Sequence, residues 1–179
     1  MNANDFAQAL EKSAPLVECL VAVGLSREGA ELFRQTQICQ RRTAPLPTNV
    51  TNELIELASR WDVSKVEIGM IRLLGTPIDQ ERTVQVGLVE ADPLVIVKVS
   101  SELLVEEAGT AGHVLWKVAL GPSNFLDALV VAAKFLADRA VGIVDFDDIE
   151  IARTTAVRCA ELAGGNSYLE FYLMLCGVE

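Results

Sequence analysis

Apolar positions along this chain change their period twice, and the changes divide it into helical, strand-rich and again helical stretches. Over residues 3–35, Phe6 and Leu10 are followed by Leu16, Val17 and Leu20. Recurrence near 3.6 residues places such side chains on one face of a helix. Pro15 fits the first turn of a second helix with Ser13 as its cap, Gly24 ends it, and Ser26 can cap a third over REGAELFRQ. TAPLPTN reads as a Pro-rich loop that separates a helical arm, residues 1–44, from the main body. Residues 50–60, VTNELIELASR, form a short amphipathic helix that Asn49 or Thr51 could cap, with Leu54, Ile55 and Leu57 apolar.

The period then becomes two. VEIGMIRLL, TVQVGLVE, PLVIVKVS and HVLWKVAL read as four strands. In the second, Val84, Val86 and Leu88 alternate with Thr83, Gln85 and Gly87, the pattern of a strand with one wet face. In the third, Val95, Val97 and Val99 share one face while Leu94, Ile96 and Lys98 share the other. It is nearly apolar on both, which predicts a central position. Val114, Trp116, Val118 and Leu120 share a face of the fourth. Ala91-Asp92-Pro93 is a compact turn that makes the second and third strands an antiparallel hairpin. ELLVEE, residues 102–107, is open between strand and loop, and Gly109 and Gly112 mark a further turn.

Gly121-Pro122-Ser123 breaks the fourth strand and opens a long helix, with Ser123 as the expected N-cap. Phe125, Leu129, Ala133 and Leu136 lie on one face of it, predicted to pack on the sheet, and Asp127, Lys134 and Asp138 on another. A second helix runs from about Asp147 to Ala163, stopped by Gly164-Gly165, and NSYLEFYLMLCG is a last helix. Helices, then consecutive strands, then helices predict an α+β fold with an antiparallel sheet of about four strands packed by helices. The chain is read as one domain, with its core over 45–140 and C-terminal helices over 141–179.

Composition narrows the function. Of 179 residues 51% are hydrophobic and 22% charged, enough apolar material for a sizeable core and a self-association or partner surface. A homodimer is one expectation. The formal net charge of −10 repels phosphate, so neither DNA nor RNA is an expected partner, whereas a basic protein would be attracted. The N-terminal residues do not have the pattern of a signal peptide. The longest strongly apolar stretch, ALVVAAKFLA, is about half a membrane span. The expectation is a soluble, cytoplasmic protein with no membrane contact.

Candidate chemistry is sparse. The cysteines, Cys19, Cys39, Cys159 and Cys176, form no C-x-x-C pair and sit among apolar neighbours, which predicts four buried free thiols rather than a zinc site. His113 stands alone beside Gly112 at a strand mouth, without the G-x-S-x-G motif of a nucleophile elbow. Asp145, Asp147, Asp148 and Glu150 in DFDDIE could offer hard oxygen ligands to Mg²⁺ or Ca²⁺. Their place at a helix start favours capping and dipole compensation instead, and they lack EF-hand spacing. Glu102, Glu106 and Glu107 form a second acidic group between strands. Arg41-Arg42 is too short a basic run for nucleic acid, Trp61 and Trp116 read as core, and no phosphate-binding glycine motif is present. No cofactor and no metal is expected.

One stretch, VGLVEADPLVIVKVSSELLVEEAGTAGHVLWKVALGPSNFLDAL, resembles the SUKH superfamily. Gly112, Ser123, Phe125 and Leu126 fall where that family has its Gly-led strand and helix start, and Leu46-Pro47 is similar to its Leu-Pro entry into an N-terminal helix. The similarity spans about residues 45–136. Trp61-Asp62 stands where the family has an aromatic-Gly pair. The resemblance implies an α+β fold that binds other proteins, often a bacterial immunity protein that neutralises a secreted nuclease toxin.

The reading is therefore a non-catalytic protein-binding module. Glu102, Glu106, Glu107, Asp145, Asp147 and Asp148 are its candidate partner-binding residues. Two alternatives stand beside it. One is an acidic secretion-type chaperone that binds an effector segment along apolar grooves. The other is a metal-dependent enzyme using the carboxylates of residues 145–150.

Overall fold

The computed structural model describes residues 1–47, 52–110 and 112–178. Three helices come first, α1 (Ala3–Ser13), α2 (Val17–Ala22) and α3 (Arg27–Gln35). Asn2 caps α1 and Ser26 caps α3, each side chain accepting from a backbone N–H of the first turn. Ser13 does not cap α2. It closes α1, its hydroxyl donating to Leu10 O, and Leu16 holds the cap position of α2. Pro15 keeps Ala14 extended (ψ 129°), and the cap of α2 falls three residues later than Ser13.

A two-residue strand β1 (Gln40–Arg41) pairs with β2 (Trp61–Asp62), which follows helix α4 (Glu53–Arg60). The expected caps Asn49 and Thr51 lie outside the described residues. Asn52 takes the role, accepting from Ile55 N at 3.0 Å. Leu54, Ile55 and Leu57 are buried, as their spacing predicts.

The main sheet has six strands, not four: β3 (Glu67–Ile68), β4 (Ile71–Asp79), β5 (Thr83–Val89), β6 (Asp92–Val97), β7 (Leu103–Glu106) and β8 (Val114–Ala119). Each pairs antiparallel with the next, in the order β3-β4-β5-β6-β7-β8. Two features of the sequence conceal the extra strands. VEIGMIRLL contains a hairpin, because Gly69 adopts a positive φ (59°) and turns the chain between Ile68 and Ile71. ELLVEE contains a strand, β7, whose Leu103, Leu104 and Val105 are buried.

β6 is central, with β5 and β7 on either side. Leu94 and Ile96 enter the main core, while Val95 is buried on the opposite face between Gln85 and Leu104. Val99, expected to continue the Val95–Val97 face, is 97% exposed. The strand ends at Val97, where Ser101 N donates back to Val97 O and turns the chain into β7. β8 is an edge strand whose register against β7 shifts twice, between Leu103 and Leu104 and between Val105 and Glu106, which breaks the expected common face: Val118 is fully buried, while Val114 and Leu120, the latter just beyond the strand, are exposed.

Helix α5 (Pro122–Ala140) is the centre of the molecule. Ser123 is not its cap. Gly121 occupies that position and Pro122, whose fixed φ suits the first helical residue, starts the helix earlier. Phe125, Leu129 and Ala133 are buried as expected, and Lys134 pairs with Asp138 on the outer face. α1 packs on α5 through the fully buried Phe6 and Leu10, so the first helix is part of the main core.

Helix α6 (Ile149–Ala163) packs on α5 through small residues, Ala152, Ala156, Cys159, Ala160 and Ala163. Cys159 Sγ reaches the Ala128 carbonyl at 3.5 Å, an approach that larger side chains would prevent. Gly164 (φ 125°) ends α6, and a 3₁₀ turn (Asn166–Tyr168) leads into α7 (Leu169–Leu175), which buries Phe171, Tyr172 and Leu175. Among the described residues no helix is long and apolar enough to cross a membrane.

Candidate functional site

The segment between α5 and α6 is shaped by its own carboxylates. Ile143 N donates to Asp138 O at 2.8 Å and closes α5. Asp145 Oδ1 accepts from Asp147 N at 3.0 Å, a side-chain turn that bends the chain. Asp148 Oδ1 accepts from Ile151 N at 3.0 Å and caps α6. With those hydrogen bonds spent on the backbone, the apolar residues between the carboxylates are turned outward. Ile143 is 73% exposed, Phe146 68%, Ile149 56% and Ile151 43%. Asp145, Asp147 and Glu150 are exposed beside them, and the acids and Ile149 line one open depression. Among the described residues no group of three His, Cys, Asp or Glu side chains is arranged to hold a metal ion.

Arg139 anchors this segment from below. It lies in the last turn of α5 with only 9% of its surface exposed. Nη1 donates to Cys176 O, the C-cap of α7, at 2.8 Å, and Nη2 donates to Phe146 O. The guanidinium lies 4.9 Å from the Phe135 ring centroid and 5.3 Å from that of Phe146. Among the described residues no carboxylate forms an ion pair with it. The partial negative charge at the C-terminal ends of α5 and α7, together with two ring faces, compensates the buried cation.

Beside Phe146 a cleft of about 430 Å³ opens between the end of α3, the β3–β4 turn and the end of α5. Phe33, Leu136 and Phe146 provide apolar walls, with Gly69, Gln37 and Arg139 also lining it. The buried Gln37 Nε2 donates to Glu67 O at 2.7 Å, and Glu67 N donates to Thr36 O at 3.0 Å, which stitches α3 to β3.

The second acidic group lies elsewhere. Glu102 Oε1 accepts from Tyr168 OH at 3.3 Å and stands 3.7 Å from Lys117 Nζ. Partial burial and the Glu102 charge hold the Tyr168 phenol above its ordinary pKa. Glu106 is half-buried at the end of β7, opposite Val114. Glu107 Oε2 lies 3.1 Å from Nδ1 of the exposed His113. Tyr168 and the bond from Leu120 N to Ala163 O place Glu102 at the C-terminal end of α6. Asp145, Asp147 and Asp148 are at its N-terminal end. The 15 residues of α6 span about 22 Å, so the two groups do not form one surface patch.

No family model matches the chain, and neither a curated protein nor a solved structure is significantly similar to it.

Sequence reasoning did not single out Ile143, Phe146, Arg139 or Gln37. Ile143 and Phe146 carried a signal nonetheless, since they interrupt a Gly- and Asp-rich turn where no periodic face could bury them. The thiols also divide. Cys39, Cys159 and Cys176 are buried, but Cys19, expected to be buried as well, is exposed on the short helix α2, where only Leu20 is fully covered. Burial pushes Cys39 and Cys159 up to about 12 and Cys176 to about 11, so these three are protonated at neutral pH.

Proposed function

We propose that this protein is a protein-binding module that captures a basic partner on the segment from Ile143 to Ile151. The observation that carries the reading is the alternation there of exposed apolar side chains with carboxylates. Contiguous exposed apolar residues are a cost to a free protein and mark interaction surfaces. Carboxylates interleaved with them, on a chain of net charge −10, select and steer a positively charged partner. Glu102, Glu106 and Glu107, partly spent on Lys117, Tyr168 and His113, belong to a separate and weaker acidic face. The SUKH-like stretch adds one specific form of this function, a bacterial immunity protein that neutralises a basic toxin.

The test is quantitative capture from cells of the source organism, comparing the wild type with Asp145→Asn/Asp147→Asn/Asp148→Asn. Asparagine keeps the turn and the helix cap while it removes the charge. A basic protein retained by the wild type and released by the variant, with binding that weakens as salt rises, is the expected result. Equal capture by both proteins would sink the proposal.

A further inference from the structure

We infer that the cleft beside Phe146 receives an aromatic anchor side chain, Trp or Tyr, from the basic partner; this rests on the docking surface proposed above. Phe146 belongs to both features: it is one of the outward apolar residues of the 143–151 segment and one wall of the cleft. A side chain entering the cleft therefore stays in continuous contact with the surface outside it. The volume of about 430 Å³ holds an indole or phenol with its backbone. Phe33, Leu136 and Phe146 surround such a ring with apolar atoms. Binding energy at protein interfaces concentrates in anchors of this kind, ringed by contacts that exclude water.

The polar groups narrow the occupant further. Gln37 spends its amide N–H groups on Glu67 O and Thr36 Oγ1, while its Oε1 accepts from no described group. That oxygen is an open acceptor in the cleft wall, suited to an indole N–H or phenol O–H. An anionic occupant is disfavoured. Arg139 spends both terminal nitrogens on Cys176 O and Phe146 O, which leaves only its buried Nε without a partner among the described residues, while Glu67 lines the cleft and Asp145 and Asp147 flank Phe146 in the chain, adding negative charge. A Lys or Arg tip would meet the positive charge of Arg139, which lines the cleft. Basic residues flanking the anchor, outside the cleft, face the carboxylates instead.

Selection of displayed random short peptides on the immobilised full chain tests this. On the wild type, enriched peptides should carry Trp or Tyr within a Lys- and Arg-rich background. Ala140→Phe, which fills the cleft from α5, should remove the aromatic preference, keep the basic one, and weaken a selected peptide about tenfold or more. If that variant does not fold, Thr36→Phe fills the cleft from the opposite wall. Gln37→Met should leave the aromatic preference but abolish the advantage of Trp and Tyr over Phe. Basic peptides without an aromatic on the wild type, or an aromatic preference that survives a filled cleft, would overturn the anchor and leave the docking surface standing. Absence of basic enrichment, or basic enrichment unchanged in Asp145→Asn/Asp147→Asn/Asp148→Asn, would overturn both.

Discussion

Replacing Arg139 by methionine separates two accounts of a buried cation that has no carboxylate partner among the described residues. Methionine keeps an apolar stem of similar length and removes the guanidinium. If two helix ends and two rings compensate the charge, its loss is costly. Cys176 O is buried and accepts a charged donor at 2.8 Å, a bond of about 1.5–3 kcal/mol. Phe146 O lies in a partly exposed segment and can turn to water, so its bond contributes less, about 1 kcal/mol. The ring contacts with Phe135 and Phe146 add about 0.5–1 kcal/mol each. Against this stands the recovered cost of burying a charge, several kcal/mol for an uncompensated ion. With compensation in place, the net expectation is a loss of about 3 kcal/mol. For a chain of this length that lowers Tm by roughly 6–12 °C. Urea unfolding followed by circular dichroism measures it as a fall in midpoint with unchanged slope. Arg139→Lys, which keeps the charge but can reach only one carbonyl well, should lose about half as much. A methionine variant as stable as the wild type, or more stable, would refute the reasoning, because the guanidinium would then be a net burden.

Four further outcomes follow from the packing. Tyr172→Phe should leave stability unchanged or raise it by up to about 1 kcal/mol, since the buried Tyr172 hydroxyl has no hydrogen-bond partner among the described residues; chemical denaturation reads the sign. Thiol labelling at mildly alkaline pH should modify Cys19 at once and the other three only on unfolding. Because the folded pKa values of Cys39, Cys159 and Cys176 lie above the unfolded value, the unfolded chain sheds protons first as pH rises. Stability is therefore constant below about pH 8.5 and falls between there and pH 11–12, by up to about 1.4 kcal/mol per pH unit for each thiol. Thiolate absorbance should appear together with loss of helical signal, and thiolates forming in a protein that stays folded would contradict this. Gly164→Ala should cost about 2–3 kcal/mol, since its φ of 125° is strained for alanine and a Cβ would come within 2.8 Å of Leu120 Cβ; a near-neutral change in midpoint would count against that geometry.

Much of the fold was legible because period and punctuation agreed. Ser26 capping α3, Gly164 stopping α6 and the central, doubly apolar β6 all follow from local residue chemistry. What escaped depended on tertiary placement. A two-residue strand such as β3 has no period to detect, and β7 became readable only once β6 and β8 bury it. The Ser123 expectation failed because Pro122 offers a competing helix start two residues earlier than a Ser123 cap would give. For the candidate site, Asp148 as a cap was legible, since capping is local. The separation of the two acidic groups was not, because α6 lies between them in space and neither group signals the other along the chain. The cleft was invisible for the same reason: Phe33, Gln37, Leu136 and Phe146 come from segments up to about a hundred residues apart and line one cleft only once the end of α3 is stitched to β3 beside the end of α5.

The strictly sequential order of the sheet has a consequence for how the chain assembles. Every strand from β4 to β8 finds a partner in the strand made immediately before it, so the sheet can zip up hairpin by hairpin during synthesis, with little loop-closure cost. The helical layer cannot. Helix α1, with Phe6 and Leu10, can meet α4 early but waits for α5, more than a hundred residues later, before its core is complete. Until then a nascent sheet displays Leu94, Ile96, Leu103 and Val105 uncovered. The emergence of α5 from the ribosome is therefore the committing event, and pulse-labelling hydrogen exchange should protect the strands before α1. A chain stalled before Pro122 would present an unshielded β-surface to chaperones and to its own neighbours.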